Sequence, residues 1–162
     1  MLTESYFDNM KAVLAKIEKT QRQNISLCAE VIMESLCNNG IWHLLDTGHM
    51  LMHEGVGRAG GMMAVRPVMT EVEVNNPTRK RSIPGKKRIY MDQIEGFPKF
   101  VLGKANIMTG DVLMIGSVSG INILPGEMAI KAREMGVKTI AITSVDYSRF
   151  LKSNHYSGKR LF

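Results

Sequence analysis

The stretch DVLMIGSVSGINILPGEMAIKAREMG, residues 111–136, decides the fold. Residues 112–115 form an apolar run that is too short for a buried helix and is typical of a buried strand. Small residues follow at 116–120. A helix then begins, with Pro125 suited to its first turn and an inner face formed by Met128, Ala132 and Met135. The order of strand, small-residue loop and helix predicts one unit of an α/β sheet.

This loop has the features of a phosphate cradle. Backbone N–H groups in a tight strand-to-helix turn converge with the helix N-terminus on an anion. Ser117, Ser119 and Asn122 add side-chain donors at the same place. It is not a P-loop, because no Gly-Lys-Ser/Thr follows, and it is not a dinucleotide fingerprint, because G-x-G-x-x-G is absent. The alternative is an ordinary turn with no ligand.

Length and composition indicate one globular domain over residues 1–162, with 44% hydrophobic and 22% charged residues. No apolar run is long enough for a membrane span, and the polar residues from Thr3 onward argue against a signal peptide. Cys28 and Cys37 lie on different faces of one predicted helix, which argues against a disulfide and for a reducing compartment. We therefore expect a cytoplasmic protein with no membrane partner.

The net charge of +6 is concentrated in a basic loop insertion, residues 75–88, punctuated by Pro77, Pro84 and Gly85. Aromatic residues for base stacking are not interleaved with the cations, and no recognition-helix pattern adjoins them, so we expect no nucleic-acid partner. The segment is interpreted as a solvated loop. The alternative is a mobile flap that steers a phosphorylated ligand.

The remaining chain alternates helical and strand-like segments. The patterns predict, in order, N-terminal helices that are nearly continuous (1–39), a buried strand (41–45), a short helix (49–58), a strand-like run interrupted by proline (62–74), a weakly patterned helix (90–102), the central unit, a second buried strand (137–143) and a polar tail (144–162). This alternation predicts a three-layer αβα sandwich with a parallel sheet.

In a parallel sheet, ligands bind beyond the carboxyl ends of the strands. The three predicted strand ends are rich in hydroxyl groups or glycine. They are residues 46–49 with Thr47, Gly48 and His49, residues 116–120, and residues 143–144 with Ser144. Their agreement predicts a site for a polar ligand.

Three other polar residues could carry chemistry. Glu54 lies one helical turn beyond the first strand end and could move a proton, although an exposed pair with Arg58 at i+4 is slightly favoured. His49 and His53 have a spacing compatible with a metal, but no further ligand completes the set, so a structural or ligand-contacting role is favoured and we expect no metal. His155 stands alone in the polar tail and, from the sequence alone, is expected to be exposed.

With these pieces together, the chain resembles the sugar isomerase (SIS) domain family, and within it the proteins near phosphoheptose isomerase. Residues 110–144 look like the S-x-S-G phosphate loop, following helix and next strand of that family. Glu54-Gly-Val-Gly-Arg58 looks like the E-L-V-G-R helix that carries a catalytic Glu. The tail SNHYSGKRLF resembles tails in which a His reaches the sugar site, often of a neighbouring subunit.

The resemblance implies a sheet of roughly five parallel strands in a homodimer or homotetramer that binds a phosphorylated sugar without a cofactor. Its candidate catalytic pair is Glu54 as base and His155 as acid. The candidate substrate-binding residues, from the resemblance and the strand ends together, are Thr47, Gly48, His49, Ser117, Ser119, Gly120, Asn122 and Ser144.

Two departures from the family pattern leave alternatives open. The first loop is about two residues short and has Met50 near the position where the family carries a serine. Relatives also continue into a last strand, so we expect either a truncated chain or a sheet completed by a partner. The first hypothesis is an aldose–ketose isomerase. The others are a phosphosugar sensor without turnover and a lyase or etherase acting on an amino-sugar phosphate.

Overall fold

The computed structural model describes residues 1–47, 51–71, 91, 94 and 96–162. The basic loop insertion at 75–88 lies outside these residues. The elements are α1 (Leu2–Cys37), β1 (Trp42–Asp46), α2 (Leu51–Gly55), β2 (Val65–Pro67), α3 (Phe97–Lys104), β3 (Val112–Gly116), α4 (Ile123–Glu134), β4 (Lys138–Ile142) and α5 (Val145–Arg149).

The described strands form one parallel sheet in the order β2-β1-β3-β4. The register aligns Asp46 of β1 with Gly116 of β3, and Gly116 with Ile142 of β4. Three strands therefore end at one level, which we call the carboxyl edge. The strand-like run around Pro67 shortens to three residues, with Pro67 at its end, where the missing N–H is tolerated.

Helices cover the sheet on both faces, as predicted for a three-layer α/β sandwich. On one face α3 and α4 pack on Leu113 and Ile115, and on the other α1 and α2 pack on Val112 and Met114. All five residues of β3 are buried, because this strand has a neighbour on each side and a helix layer on each face. The run at 112–115 is therefore the centre of the core.

The prediction of a second strand at 137–143 was right about the strand but wrong about its burial. β4 forms, but Ile140 is its single buried residue and Ile142 is 45% exposed. The physical reason is its position, since among the described strands β4 is the edge of the sheet and has β3 as its one neighbour.

The N-terminal helices are one continuous helix of 36 residues, α1. Its apolar contacts with the sheet come from its last third, where Cys28, Val31 and Ile32 pack on the sheet and Ser35 is buried. Residues 1–27 are all exposed. Within the described parts of the chain, no helix has the sustained apolar length that crossing a membrane requires.

A buried carboxylate fixes the opposite, amino edge of the sheet. Asp111 accepts hydrogen bonds from the backbone N–H groups of Ile41 at 2.8 Å and Met108 at 3.0 Å, and its Oδ2 lies 3.2 Å from His43 Nε2. Asp111 and His43 are each 3% exposed. The carboxylate thus ties the start of β1 to the start of β3.

Replacing Asp111 with Ala should destabilise the fold strongly. The buried His43 and the part-buried N–H groups of Ile41 and Met108 lose their acceptor, and each unsatisfied buried donor costs about 1–3 kcal/mol, so we expect a loss of roughly 3 kcal/mol in the free energy of unfolding in urea. Asp146→Ala is the control, because this exposed aspartate pairs with Lys16 at the surface. An Asp111→Ala midpoint equal to that of the control would contradict the role given to this carboxylate.

Candidate functional site

A cavity of about 420 Å³ opens at the carboxyl edge, between the end of β1, the segment after β2, and helices α3 and α4. Its polar lining comes from Asp46, Thr47, His53 and Thr70. The remaining wall is apolar and rich in methionine: Leu45, Met52, Val68, Met69, Met91, Phe97, Val101, Leu124 and Met128. The site thus combines a polar rim with an apolar interior, as small-molecule pockets do.

The loop between β3 and α4 leads from the carboxyl edge into α4, whose Leu124 and Met128 line the cavity, and its conformation is fixed by hydrogen bonds. Ser117 is buried, its N–H donates to the Ile142 carbonyl at 3.0 Å, and its Oγ accepts from the Gly120 N–H at 3.3 Å. Gly120 has φ +60°, and a Cβ there would lie 2.9 Å from Thr143 Oγ1. A side chain at this position would therefore push the loop off β4.

The N-terminus of α4 lacks its usual side-chain cap. Asn122 occupies the N-cap position, but its Oδ1 accepts a hydrogen bond from Asn154 Nδ2 at 3.1 Å and does not cap the helix. The first backbone N–H groups of a helix need an acceptor, and the helix dipole favours a negative one. Together with the half-buried Ser119, this end of α4 suits a phosphate or carboxylate.

The end of β1 supplies the opposite wall. Thr47 donates both its N–H and its hydroxyl to the Gly116 carbonyl, each at 3.1 Å. Asp46 Oδ2 accepts from the Met52 N–H at 3.3 Å, while Oδ1 is buried and has no partner among the described residues. A Cβ on Gly116 would lie 3.1 Å from that Oδ1, so glycine makes room for the carboxylate. Asp46 lines the cavity and is not among the site residues that the sequence predicts.

On α2, Met52 and His53 line the cavity and Glu54 does not. Glu54 is 58% exposed, and its Oε2 lies 3.3 Å from Arg58 Nε. This is the surface pair that the i+4 spacing favoured. For His53 the sequence favoured a structural or ligand-contacting role over a metal site, and the structure places this residue in the cavity lining.

The tail is ordered against the loop, and the expectation that His155 is exposed was wrong. His155 is 4% exposed, with Nε2 2.7 Å from Glu127 Oε1 and Nδ1 2.6 Å from Ser157 Oγ. The Ser157 N–H also donates to Nδ1 at 3.2 Å, so Nδ1 is the acceptor and Nε2–H donates to Glu127. His155 does not line the cavity but a groove beside α4.

Glu127 is a buried carboxylate that the sequence analysis did not single out. Burial alone would raise its pKa, but the hydrogen bonds from Tyr156 and His155, with the nearby positive charge, outweigh burial and lower the pKa below its ordinary value. The same bond raises the pKa of the Tyr156 hydroxyl, because donating a hydrogen bond to the carboxylate stabilises the protonated phenol. Glu127 is therefore an anion that holds the tail.

The tail in turn holds the loop. The Leu161 N–H donates to the Gly120 carbonyl and the Asn154 N–H to the Ile121 carbonyl, each at 2.9 Å. The structure thus brings Ser117, Ser119, Gly120, Asn122 and Thr47 to one edge of the sheet, and the tail forms the outer side of that edge. Within one chain it does not bring His155 and Glu54 together in the cavity.

The remaining predicted site residues are Ser144, Gly48 and His49. Ser144 is exposed and caps α5, with its Oγ accepting from the Tyr147 N–H at 3.4 Å. Gly48 and His49 lie outside the described residues. Among the residues that are described, no group of three or more His, Cys, Asp or Glu could hold a metal ion.

The chain is similar to a protein-family model and to known proteins. The family model described as SIS domain matches residues 5–144. A UPF0309 protein of Halalkalibacterium halodurans, BH3325, is 34% identical and aligns with 99% of this chain and 66% of its own length. A UPF0309 protein of Geobacillus thermodenitrificans is 29% identical, with shares of 99% and 63%. The chain therefore spans less than two thirds of the length of these relatives.

A solved structure has the same fold. Phosphoheptose isomerase GmhA from Neisseria gonorrhoeae superimposes with a TM-score of 0.59 at 21% identity, over 92% of this chain and 78% of that one. At this identity the similarity establishes the α/β architecture with its parallel sheet.

Replacing Glu127 with Gln should weaken the docking of the tail and change its pH dependence. A carboxylate whose pKa is lowered by folding contributes stability above its ordinary value, near 4.5, and that stability is lost as the pH falls through the folded pKa. At pH 7 we expect a loss of about 2 kcal/mol in the free energy of unfolding. Below pH 4.5 the difference between wild type and variant should shrink.

Urea unfolding at pH 7 and at steps from pH 5 to 3 measures this. Glu134→Gln is the matched control on the same helix, since Glu134 is exposed and pairs with Lys131. If the free energy of unfolding of Glu127→Gln depended on pH as that of wild type does, the Glu127 carboxylate would not be the group that holds the tail.

Proposed function

The chain belongs to the SIS domain family of phosphosugar-binding proteins, and from this premise we propose that it binds a phosphorylated sugar at the carboxyl edge and isomerises it between aldose and ketose. The phosphate would lie on the loop 117–122 and the N-terminus of α4. The sugar would extend into the cavity, toward Thr47 and His53. Gly48, His49 and Ser144 would complete the wall around it.

One observation carries this proposal. Helix α4 begins with an uncapped N-terminus three residues after Ser119, and Leu124 in its first turn lines the cavity of about 420 Å³. The site thus has a place for an anion next to a place for carbon and hydroxyl groups. Asp46 Oδ1, buried and without a partner among the described residues, adds an acceptor for a sugar hydroxyl.

An isomerase needs a base that takes a proton from the carbon next to a carbonyl and returns it to the neighbouring carbon. We propose Glu54 as that base. Its carboxylate must leave Arg58 to reach the cavity, which costs little, because exposed ion pairs contribute only about 0–1 kcal/mol. We propose His155 as the acid. In this role its Nε2–H would donate to the substrate and no longer to Glu127.

We also propose a homodimer or homotetramer. In such an assembly the acid need not come from the same chain as the base. This would reconcile the proposed catalytic pair with the separation of Glu54 and His155 within one chain.

A sensor that binds phosphosugars without turnover is the second candidate. It is favoured by the same separation, because both ring nitrogens of His155 are engaged by Glu127 and Ser157 and Glu54 lies on the surface. A lyase or etherase of an amino-sugar phosphate is the third. The apolar, methionine-rich wall of the cavity favours it over a simple sugar isomerase, since an acyl or ether group would be buried there.

Thermal-shift screening of phosphosugars, followed by product analysis in deuterated water, separates these functions. An isomerase that passes through an enediol incorporates solvent deuterium at the reacting carbon. A sensor shifts the melting temperature but leaves the sugar unchanged and unlabelled. A lyase or etherase releases a fragment. No shift with any phosphosugar would contradict the site itself.

Replacing Ser117 and Ser119 together with Ala should weaken phosphosugar binding at least tenfold. Hydrogen bonds to charged groups contribute about 1.5–3 kcal/mol each, and 1.4 kcal/mol corresponds to a factor of ten. Titration calorimetry with the sugar found in the screen measures the change. Ser119→Ala alone, which leaves the bond from Ser117 to Gly120 intact, separates lost contacts from a distorted loop. The control Ser5→Ala/Ser26→Ala lies on exposed α1, and equal affinity in all variants would contradict the cradle.

Replacing Glu54 with Gln should leave binding intact and lower turnover by roughly a hundredfold or more, because the shape is kept and the base is lost. His155→Ala should also lower turnover. If the two residues meet across subunits, mixing the inactive variants restores sites that hold both intact residues, and activity returns. His53→Gln is measured beside them, since His53 lines the cavity. A fully active Glu54→Gln protein would exclude Glu54 as the base.

A further inference from the structure

Asn122 occupies the N-cap position of α4 without capping the helix. Its backbone is extended, with φ −73° and ψ 153°, which is the usual conformation of an N-cap residue, and asparagine is among the residues that cap helices best. From this position the amide oxygen normally accepts a hydrogen bond from the N–H of the second or third helical residue. The Asn122 side chain makes no such bond. Since the backbone conformation permits the cap, something else holds the side chain away.

The sequence of the first turn leaves one usual donor for a cap. Because α4 begins at Ile123, its third residue is Pro125, which has no N–H. The second residue, Leu124, therefore carries the N–H group that a capping side chain would use, and Leu124 lines the cavity. An anion at this end of α4 and the Asn122 amide oxygen would compete for that donor.

Asn154 in the tail holds the Asn122 oxygen. Its Nδ2 donates to Asn122 Oδ1 at 3.1 Å, and its backbone N–H donates to the Ile121 carbonyl at 2.9 Å. One tail residue thus binds both the last residue of the loop and the N-cap residue of α4. The bond uses the acceptor of the Asn122 amide and leaves its two N–H donors for a ligand.

The segment around Asn154 is already ordered by its own hydrogen bonds. The Ser153 hydroxyl donates to the Lys159 carbonyl at 2.6 Å and accepts from the His155 N–H at 3.1 Å. His155 is buried against Glu127. Asn154 is exposed, but its backbone is fixed on both sides, so little conformational entropy is lost when its side chain binds Asn122.

We propose that Asn154 is a positioning residue for the anion site: it draws the Asn122 oxygen away from the Leu124 N–H and so keeps the N-terminus of α4 available to a phosphate. This inference rests on the proposed function, which places the phosphate at that end of the helix. Without the Asn154 amide, the Asn122 oxygen turns to Leu124, caps α4 and sets a partial negative charge where the anion binds. The docked tail therefore controls the affinity of the site for its anion.

Titration with inorganic phosphate, followed by amide NMR shifts, tests this role as a double-mutant cycle. Asn154→Ala should weaken phosphate binding about fivefold, because the anion must then displace a cap, and an asparagine cap contributes a factor of about that size. In an Asn122→Ala background the same substitution should change the affinity less than about twofold, since no oxygen remains to compete. An equal loss in both backgrounds would overturn the proposal, because Asn154 would then act on the anion or the tail without Asn122.

Solvent exchange of the Leu124 amide tests the same role without a ligand. In Asn154→Ala this N–H gains an acceptor, so its exchange should slow about fivefold relative to wild type. In Asn122→Ala/Asn154→Ala the exchange should stay at the wild-type rate, because the capping oxygen is gone. Unchanged exchange in Asn154→Ala would overturn the role of Asn154, whatever the phosphate affinity.

Asn24→Ala is the matched control for both measurements. Asn24 Nδ2 donates to Gln21 Oε1 at 2.9 Å, so this substitution also removes an exposed bond between two side-chain amides, but on α1. Phosphate affinity and Leu124 exchange should equal those of wild type, and a change as large as that in Asn154→Ala would overturn the proposal. Wild type that binds no phosphate, together with slowed Leu124 exchange in Asn154→Ala, would overturn the proposed anion site and not the control of the cap.

Discussion

The shared register of β1, β3 and β4 is the constraint on which the site depends. Asp46, Gly116 and Ile142 are hydrogen-bonded neighbours at the last position of their strands, so the three segments that follow must leave the sheet together. Slipping β3 by one residue would turn its buried side chains to the opposite helix layer and would also move Ser117 out of reach of the Ile142 carbonyl. The core and the loop are therefore specified by the same pairing.

Much of this arrangement could be predicted because its parts are contiguous in the sequence. The run at 112–115, the small residues after it and the helix at Pro125 lie within one stretch, and local rules apply there. The ends of the three long strands were also foreseen, since apolar runs mark them. The exposure of β4 was not foreseen, because an apolar run does not reveal whether a strand has one neighbour or two.

The features that were missed depend on contacts between distant residues. His155 looked solitary in a polar tail, but its partner Glu127 lies 28 positions earlier on α4 and reads as part of an ordinary helix. Asp46 ends β1 and lines the cavity, and the space that Gly116 leaves for it is visible only when β1 and β3 are paired. Pairing of Glu54 with Arg58, in contrast, follows from helical spacing alone and was predicted.

The hydrogen bonds that fix the loop between β3 and α4 affect the thermodynamics of binding for any anion that binds there. Four of its backbone groups, from Ser117 to Ile121, are already hydrogen-bonded to β4, to the segment after it, or to the tail. Association then orders little main chain, so the entropic penalty that accompanies coupled folding and binding is small. Binding of phosphate at this edge should resemble the filling of a rigid receptor, with a heat-capacity change that reflects the buried apolar wall and not the folding of a segment.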